Sequence, residues 1–460
     1  MSTSAVEESQ APPPPLSVLR VTRGTCPQCL EIVPARVIEL DGEVLLEKNC
    51  PEHGDNRVLL SESPPYFKEL MGYYFDVMPE SLPQKDYILR LTHRCNMACP
   101  ICLASSDEYK EEEMTLEHAR ELMDMRPRGM KLDLMGAEPT LWPDLEQLIR
   151  EASQRGHITA LHTNGINISK DEDLERLIDA GLDEVHLQFD GFEDAHDMVL
   201  RGQPMGAMRR KILGVLERHD VATDLVVTLM QGLNEDQMLP VLDFAARHKF
   251  VKEVFYLGCR RLGRASEEFA TATLAPDQVI DEAERRSDGL INRHDLRVFN
   301  KLYFAMLSMF RLRKCFYIHH YMVLRDGKGG YRPVSEYIDM PYLEPHLDAY
   351  RAGFAKNRAA AAARLLPHIG LAMVRKRGTA LLMDGAILPV LLKMGFNLSK
   401  IQSRIILLGF ITACDPWMHD EQVAANCGKG EFSTDLGVHP AGADANVGRE
   451  RLHMNSERVK

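Results

Sequence analysis

Between residues 87 and 257 the chain alternates apolar, strand-like runs with amphipathic helical stretches, and this alternation limits its possible folds more than any other feature. The strand candidates are Tyr87–Leu91, Leu132–Met135, Ile158–Thr163, Val185–Phe189, Asp224–Leu229 and Val254–Leu257. Between them, Leu116–Met125, Leu145–Arg155, Leu174–Ala180, Met208–His219 and Asp236–His248 place apolar residues three and four apart, the period of a half-buried helix. Repeated strand and helix predict a parallel sheet covered by helices. Six such units predict an α/β fold, a partial (β/α)6 barrel of the TIM type. In such barrels ligands bind where the strands end, so the residues after each strand are the ones to read for function.

Composition sets the outer limits. At 460 residues the chain exceeds one ordinary domain of about 100 to 200, which predicts a catalytic core with appendages. A net charge of −12 argues against nucleic-acid binding, which needs a basic face. The ten cysteines, several in C-x-x-C form, suggest metal ligation in a reducing compartment, and hence a cytoplasmic protein. The polar, Pro-rich residues 1–19 read as a disordered tail without the apolar core of a signal peptide.

Directly after the first strand, LTHRCNMACPICLASS carries Cys95, Cys99 and Cys102 as C-x3-C-x2-C. Three thiolates suit three irons of a [4Fe-4S] cubane and leave the fourth iron open to another ligand. A zinc knuckle is the alternative, but zinc sites usually draw four ligands from paired clips, and His93 lies on the strand side of the loop.

The other strand ends also carry polar or small residues. Gly136-Ala137-Glu138-Pro139 follows the second strand, where small residues let backbone carbonyls approach a cationic ammonium and a carboxylate adds complementary charge. Thr163-Asn164-Gly165 follows the third and contains a turn dipeptide. Gln188-Phe189-Asp190-Gly191 closes the fourth, and Asn234 lies in a turn after the fifth. His196 and Arg201 form a polar cluster suited to a carboxylate, and Arg260, Arg261 and Arg264 place three cations after the sixth strand, suited to an acidic group.

Ahead of the barrel, Cys26-Pro-Gln-Cys29 and Cys50-Pro-Glu-His53 flank an alternating stretch reversed at Asp41-Gly42. Two clips joined by a hairpin can close a tetrahedral zinc site of three cysteines and one histidine, with rubredoxin-like iron as the rival. Beyond the barrel, candidate helices Ala359–Lys376, Ala380–Met394 and Ile401–Ala413 are greasy enough to extend the core, or to form an apolar tunnel or membrane-facing surface for a lipid. Cys259, Cys315, Cys414 and Cys427 remain over and would suffice for an auxiliary [4Fe-4S] cluster, although none forms a clip.

The cysteine loop and the GAEP strand end resemble the signatures of the radical S-adenosylmethionine (SAM) superfamily. With the front knuckle added, the chain is similar to the branch containing the tetraether lipid synthase and the pterin-precursor methylating enzymes. The resemblance implies that SAM chelates the open iron and is cleaved to a 5′-deoxyadenosyl radical. It further implies SAM contacts at Gly136, Ala137, Glu138, Thr163, Asn164, Gln188, Asp190 and Asn234, and an electron donor of the flavodoxin or ferredoxin type. The leading expectation is a radical enzyme acting on an unactivated carbon of a lipid or other apolar substrate, with peripheral membrane contact. Methyl transfer to a small heterocycle such as a pterin, and a non-catalytic iron–sulfur sensor, are the alternatives. The expected organisation is a tail (1–19), a metal knuckle (20–65), a radical SAM core (80–290), a helical extension (291–425) and a flexible tail (426–460).

Overall fold

The computed structural model describes residues 16–78, 86–106, 113–125, 128–265, 269, 273–312, 314–379, 404–412, 414–427, 429–433 and 437–440. The front module is a four-stranded antiparallel sheet in sequence order: β1 (Ser17–Thr25), β2 (Ile32–Leu40), β3 (Glu43–Cys50) and β4 (Gly54–Ser61). Asp41 and Gly42 take φ of 52° and 82°, the paired positive values that a two-residue hairpin matched to strand twist requires. The ordered strand therefore begins inside the expected tail, at Ser17; residues 1–15 lie outside the described residues. Helix α1 (Pro64–Val77) starts on two prolines and leads to the main body, burying Tyr66, Phe67, Leu70, Tyr73 and Tyr74.

All six expected strands form, as β5 (Asp86–Arg90), β6 (Lys131–Met135), β7 (Ile158–Thr163), β8 (Glu184–Gln188), β9 (Ala222–Leu229) and β10 (Val251–Gly258), each parallel to the next. The expected helices are α2 (Leu116–Asp124), α3 (Leu145–Gln154), α4 (Asp171–Ala180), α6 (Gly206–Arg218) and α7 (Met238–Arg247), with a further short α5 (Asp194–Arg201). Helix α3 shows why the pattern was readable: Leu145, Leu148, Ile149 and Ala152 share one buried face.

The C-terminal part departs from expectation. It contributes helices α8 (Pro276–Arg286), α9 (Arg293–Met309), α10 (Met340–Phe354) and α11 (Arg358–Val374), the last being the expected 359–376 helix. It also contributes strands β11 (Ile318–Arg325), β12 (Tyr331–Pro333) and β13 (Ile405–Thr412). The helix expected at 401–413 is thus a strand, seated between β10, to which it is parallel, and β11, to which it is antiparallel. A short apolar run carries no period that separates a buried helix from a strand buried on both faces, and here the flanking ladders decide. At Gly409 a side chain would meet the Phe255 ring at 2.5 Å. The helix expected at 380–394 lies outside the described residues.

After the short helix α12 (Glu421–Ala425), β14 (Lys429–Ser433) adds parallel to β5, and β15 (Gly437–Pro440) pairs with β14. Part of the expected flexible tail is therefore sheet, and the expected helical extension also supplies strands to the core. The main sheet runs β12-β11-β13-β10-β9-β8-β7-β6-β5-β14-β15. Among the described residues no helix is long and apolar enough to cross a membrane.

The segment DPWMHD clamps the front module to the body. Gly24 bridges to Asp420, whose carboxylate takes hydrogen bonds from Arg20 and Thr22. Buried Lys48 donates through Nζ to the carbonyls of Thr25, Pro416 and Trp417. Burial lowers the Lys48 ammonium to about 8, against the pull of nearby Asp415.

Candidate functional site

The parallel strands end at one cavity of about 270 Å³. Its wall takes Cys95, Cys99 and Cys102 from the loop after β5, Gly136 and Ala137 after β6, Thr163 and Asn164 after β7, and Gln188 from β8. The cysteine loop is held from two sides. Backbone N–H groups of Ala137 and Glu138 donate to the carbonyls of Thr92 and Arg94, at 2.8 and 3.0 Å. From the far side, Arg264 donates its backbone N–H to Cys102 and its guanidinium to the carbonyls of Cys99 and Ser106. Gly136 has φ of 147°, and a side chain there would stand 2.4 Å from the Thr92 carbonyl oxygen.

Burial pushes the Cys95 thiol up to about 11 and raises Cys99, with the neighbouring thiols and, at Cys95, Glu138 adding to the rise. Three thiolates crowded into this cavity therefore call for a cationic partner. Arg201, at the end of α5, supplies part of that charge, lying within hydrogen-bonding reach of Cys99 while chelating Asp190 through Nε and Nη2 at 2.7 and 2.9 Å.

The front module builds a second site. Its Cys29 and Cys50 sulfurs are 3.8 Å apart, and His53 Nδ1 stands 3.7 Å from Cys26 Sγ and 3.5 Å from Cys50 Sγ. All four ligand atoms lie within 4.8 Å of one another. A tetrahedral zinc at about 2.3 Å from sulfur and 2.0–2.1 Å from nitrogen implies S···S edges of about 3.8 Å and S···N edges of about 3.6 Å. These three contacts already stand at about those spacings.

Residues 89–245 match the family model described as the radical SAM superfamily, and residues 18–62 match the HMPTM N-terminal zinc ribbon domain. Residues 89–245 thus carry a radical SAM domain. It is 28% identical over 305 residues to the 7,8-dihydro-6-hydroxymethylpterin dimethyltransferase of Methanocaldococcus jannaschii, covering 60% of each chain. It is 29% identical over 179 residues to the GTP 3′,8-cyclase of Staphylococcus aureus, covering 35% of this chain and 51% of that one. The chain thus spans between half and two thirds of these relatives. Among solved structures, SuiB of Streptococcus suis bound to S-adenosylmethionine aligns with a TM-score of 0.37 and 14% identity, over 46% of this chain and 48% of that one.

Radical SAM proteins carry a [4Fe-4S] cluster and SAM, and the donor set here fits both: three thiols on one loop, facing a Gly-Ala strand end with room for an ammonium. Not every residue expected at SAM lines the cavity. Glu138 is fully buried, its Oε1 accepting from the Thr140 N–H, Thr140 Oγ1 and Thr163 Oγ1, and its Oε2 from the Asn164 N–H. Its carboxylate thus braces the Thr163-Asn164 turn and does not line the cavity. Asp190, also buried, is taken by Arg201, Arg209 and the Thr228 N–H. Asn234 accepts from the Met230 N–H and donates to the carbonyls of Asp190 and Thr228, closing its own turn. These two polar side chains point into the protein because buried arginines and backbone groups around them require partners.

The arginines after β10 also divide. Arg260 reaches the cavity but pairs with buried Asp415, Arg261 lies over the Trp417 ring, and Arg264 holds the cysteine loop. Of the four remaining cysteines, Cys259 lines the cavity beside Ile101, Leu200 and Met230. Cys315 and Cys414 share a hydrogen bond elsewhere, with Cys427 close enough to Cys414 to act on its charge. The structure therefore does not gather these four into one ligand set.

The sequence reading missed the cavity floor. His162 and His186 line it, with Asp133, Glu184, Asp224 and Lys131 packed behind them. The available signal was a charged or imidazole residue at inward positions of strands otherwise built of Leu, Val and Ile, since parallel strands covered on both faces normally read as continuous apolar runs.

Proposed function

We propose that this chain cleaves SAM reductively at a [4Fe-4S] cluster held by Cys95, Cys99 and Cys102, and alkylates an unactivated carbon of a small polar heterocycle, with methyl transfer the favoured form. A [4Fe-4S] cluster held by these cysteines would supply the electron for splitting the sulfonium C–S bond, with a flavodoxin- or ferredoxin-type protein as its reductant. The chain's residues then have binding and positioning tasks. Gly136 and Ala137 admit the SAM ammonium to backbone carbonyls, and Glu138 sets the Thr163-Asn164 turn beside Cys95, to whose sulfur Asn164 Nδ2 approaches to 4.0 Å.

The observation that supports the substrate class is the ionisable floor of the cavity. A hydrocarbon laid on His162, His186 and Gln188 would strip their water without replacing the hydrogen bonds, at about 1–3 kcal/mol per group. A heterocycle rich in N–H and C=O groups returns them. Two of the three apolar segments that favoured a lipid are placed elsewhere: α11 is absent from the cavity wall, and β13 is buried within the sheet. The zinc ribbon model and the pterin dimethyltransferase relative support the same reading.

The test is anaerobic reconstitution, reduction with dithionite, and incubation with SAM and 6-hydroxymethyl-7,8-dihydropterin. The expected products are 5′-deoxyadenosine and methionine from one SAM, abolished in Cys99→Ala, together with a pterin heavier by one or more CH2 units and S-adenosylhomocysteine from a second SAM that donates the methyl group. A full cluster that leaves SAM intact would refute the enzyme reading and favour a sensor. SAM cleavage stimulated by a long-chain lipid and not by the pterin would refute the substrate class.

A further inference from the structure

Helix α11 is apolar on both faces. Ala361, Leu365, Ala372 and Met373 are buried toward α9 and α10. On the opposite side Ala363, Leu366, Pro367, Gly370, Leu371 and Val374 recur at three- and four-residue spacing, so they form one stripe along the helix. Of the seven exposed residues of α11 the only charged one is Arg364, and Leu366, Leu371 and Val374 are 56%, 46% and 59% exposed. A helix face turned to water ordinarily carries charge, whereas a helix apolar all round belongs inside a core or against lipid.

Cations surround the stripe. From Lys356 to Arg377 the chain has six of them and no aspartate or glutamate, within a protein of net charge −12. Arg375 pairs with Asp339 and Arg377 lies 3.9 Å from Glu336, whereas Lys356, Arg358, Arg364 and Lys376 hold no ion pair among the described residues. Lys356 precedes the helix, Arg375, Lys376 and Arg377 follow it, and Arg364, three and seven positions before Pro367 and Leu371, borders the stripe. At that border a cavity of about 510 Å³ opens between α10 and α11; its lining includes Lys356, Arg364, His346 and His368 and, among the described residues, no carboxylate.

We infer that α11 lies in the plane of a bilayer containing anionic lipid, with Leu366, Leu371 and Val374 among the acyl chains and the surrounding cations at the phosphates. A short apolar stripe edged by cations is the pattern of an interfacial helix. At 17 residues, with Pro367 inside it, α11 is too short to span the hydrocarbon. A second copy of the chain fits the stripe less well: a twofold contact sets the helix on itself, and the cations at its ends would meet their own kind with no carboxylate on either helix to receive them. The inference stands apart from the substrate reading. Because α11 is absent from the wall of the cluster cavity, lipid here is a support and not the substrate.

The test is flotation of the full chain with vesicles of phosphatidylcholine alone and of phosphatidylcholine mixed with phosphatidylglycerol. Binding is expected to favour the anionic vesicles and to fall as salt rises, since exposed charges are screened. Arg364→Gln with Lys376→Gln is expected to weaken partitioning about 25-fold, about fivefold for each cation withdrawn from the surface. Leu371→Gln with Val374→Gln is expected to weaken it about tenfold by removing apolar area from the acyl region. All four side chains face solvent, so thermal melting should match wild type; if one double variant melts early, the other decides. A wild-type protein that floats with neither vesicle overturns the inference. Equal flotation on both compositions, or a stable double variant within about twofold of wild type, overturns it as well. A dimer in sedimentation equilibrium that Leu371→Gln with Val374→Gln dissolves, with no vesicle binding, gives the stripe to a second copy instead.

Discussion

Replacing Glu138 by Gln separates two roles for this residue: direct contact with the SAM ammonium, and support of the turn beside it. The structure favours support. Oε1 accepts three hydrogen bonds, from the Thr140 N–H at 3.1 Å, Thr140 Oγ1 at 2.6 Å and Thr163 Oγ1 at 2.8 Å. Oε2 accepts one, from the Asn164 N–H at 2.9 Å. In Glu138→Gln the amide oxygen keeps the larger set, and the NH2 then faces the Asn164 N–H, donor against donor. An unmet buried donor costs about 1–3 kcal/mol. The cheapest relaxation moves the Thr163-Asn164 turn, and Asn164 Nδ2 is the group that holds Asn96 at 2.7 Å next to the first cluster cysteine. If the cost falls wholly on SAM binding, affinity drops about 5- to 150-fold. Equilibrium dialysis of SAM against the anaerobically reconstituted variant measures this, with thermal unfolding of the same sample recording any share taken by stability. A Glu138→Gln protein with wild-type melting and SAM affinity within about twofold of wild type would refute the reasoning.

Four further outcomes are expected. Gly136→Ala forces a side chain to within 2.4 Å of the Thr92 carbonyl oxygen from a φ of 147°, and should cost about 1–3 kcal/mol and reduce cluster iron per chain, read by iron analysis after reconstitution. Cys29→Ser should remove zinc from the front module while leaving the cluster absorbance in place, since the two ligand sets are separate; metal analysis of the purified chain decides it. Arg201→Met leaves the Asp190 carboxylate with Arg209 as its remaining guanidinium, should lower stability by about 3–5 kcal/mol, and should lower the cluster midpoint potential by withdrawing a positive charge from Cys99; a potential equal to wild type would refute the contact. Burial holds His319 down at about 4 against an ordinary 6.5, so the unfolded chain binds the extra proton between those values and stability should fall as pH drops from about 6.5 to about 4, by up to about 3 kcal/mol. In urea titrations at the two ends of that window, His319→Gln should show a correspondingly smaller difference than wild type.

The barrel was legible because its helices carry one buried face each and its strands are short, apolar and regularly interrupted, so the helical period of 3.6 is broken by a continuous apolar run at every boundary. The cysteine loop was legible because a cluster needs three soft ligands close together in the chain, and Asp41-Gly42 because only such residues take two consecutive positive φ values at low cost. The run at 405–412 was misread because IILLGFIT is apolar throughout and has no period. That the side chains of Glu138, Asp190 and Asn234 lie off the cavity wall was not legible for another reason: residue type and position at a strand end give the chemistry available but not the direction in which the side chain points. Buried arginines and backbone N–H groups drawn from distant segments took those acceptors first.

By itself, the sequence determined the repeating unit, the three-cysteine loop and the Cys/His set of the front module, because each depends on residues within a few positions of one another or joined by one hairpin. Tertiary structure alone decided what lies beneath the cluster. Asp133, His162, His186, Asp224 and Glu253 are separated by about a barrel unit each along the chain and meet only when parallel strands align in register, and no local pattern records that register. The same holds for β13 and β14, which reach the two sides of the parallel core from the far end of the chain. Short-range geometry is written in neighbouring residues, whereas the floor of a barrel is made by closing the sheet, and that closure set the polar lining against which the substrate reading rests.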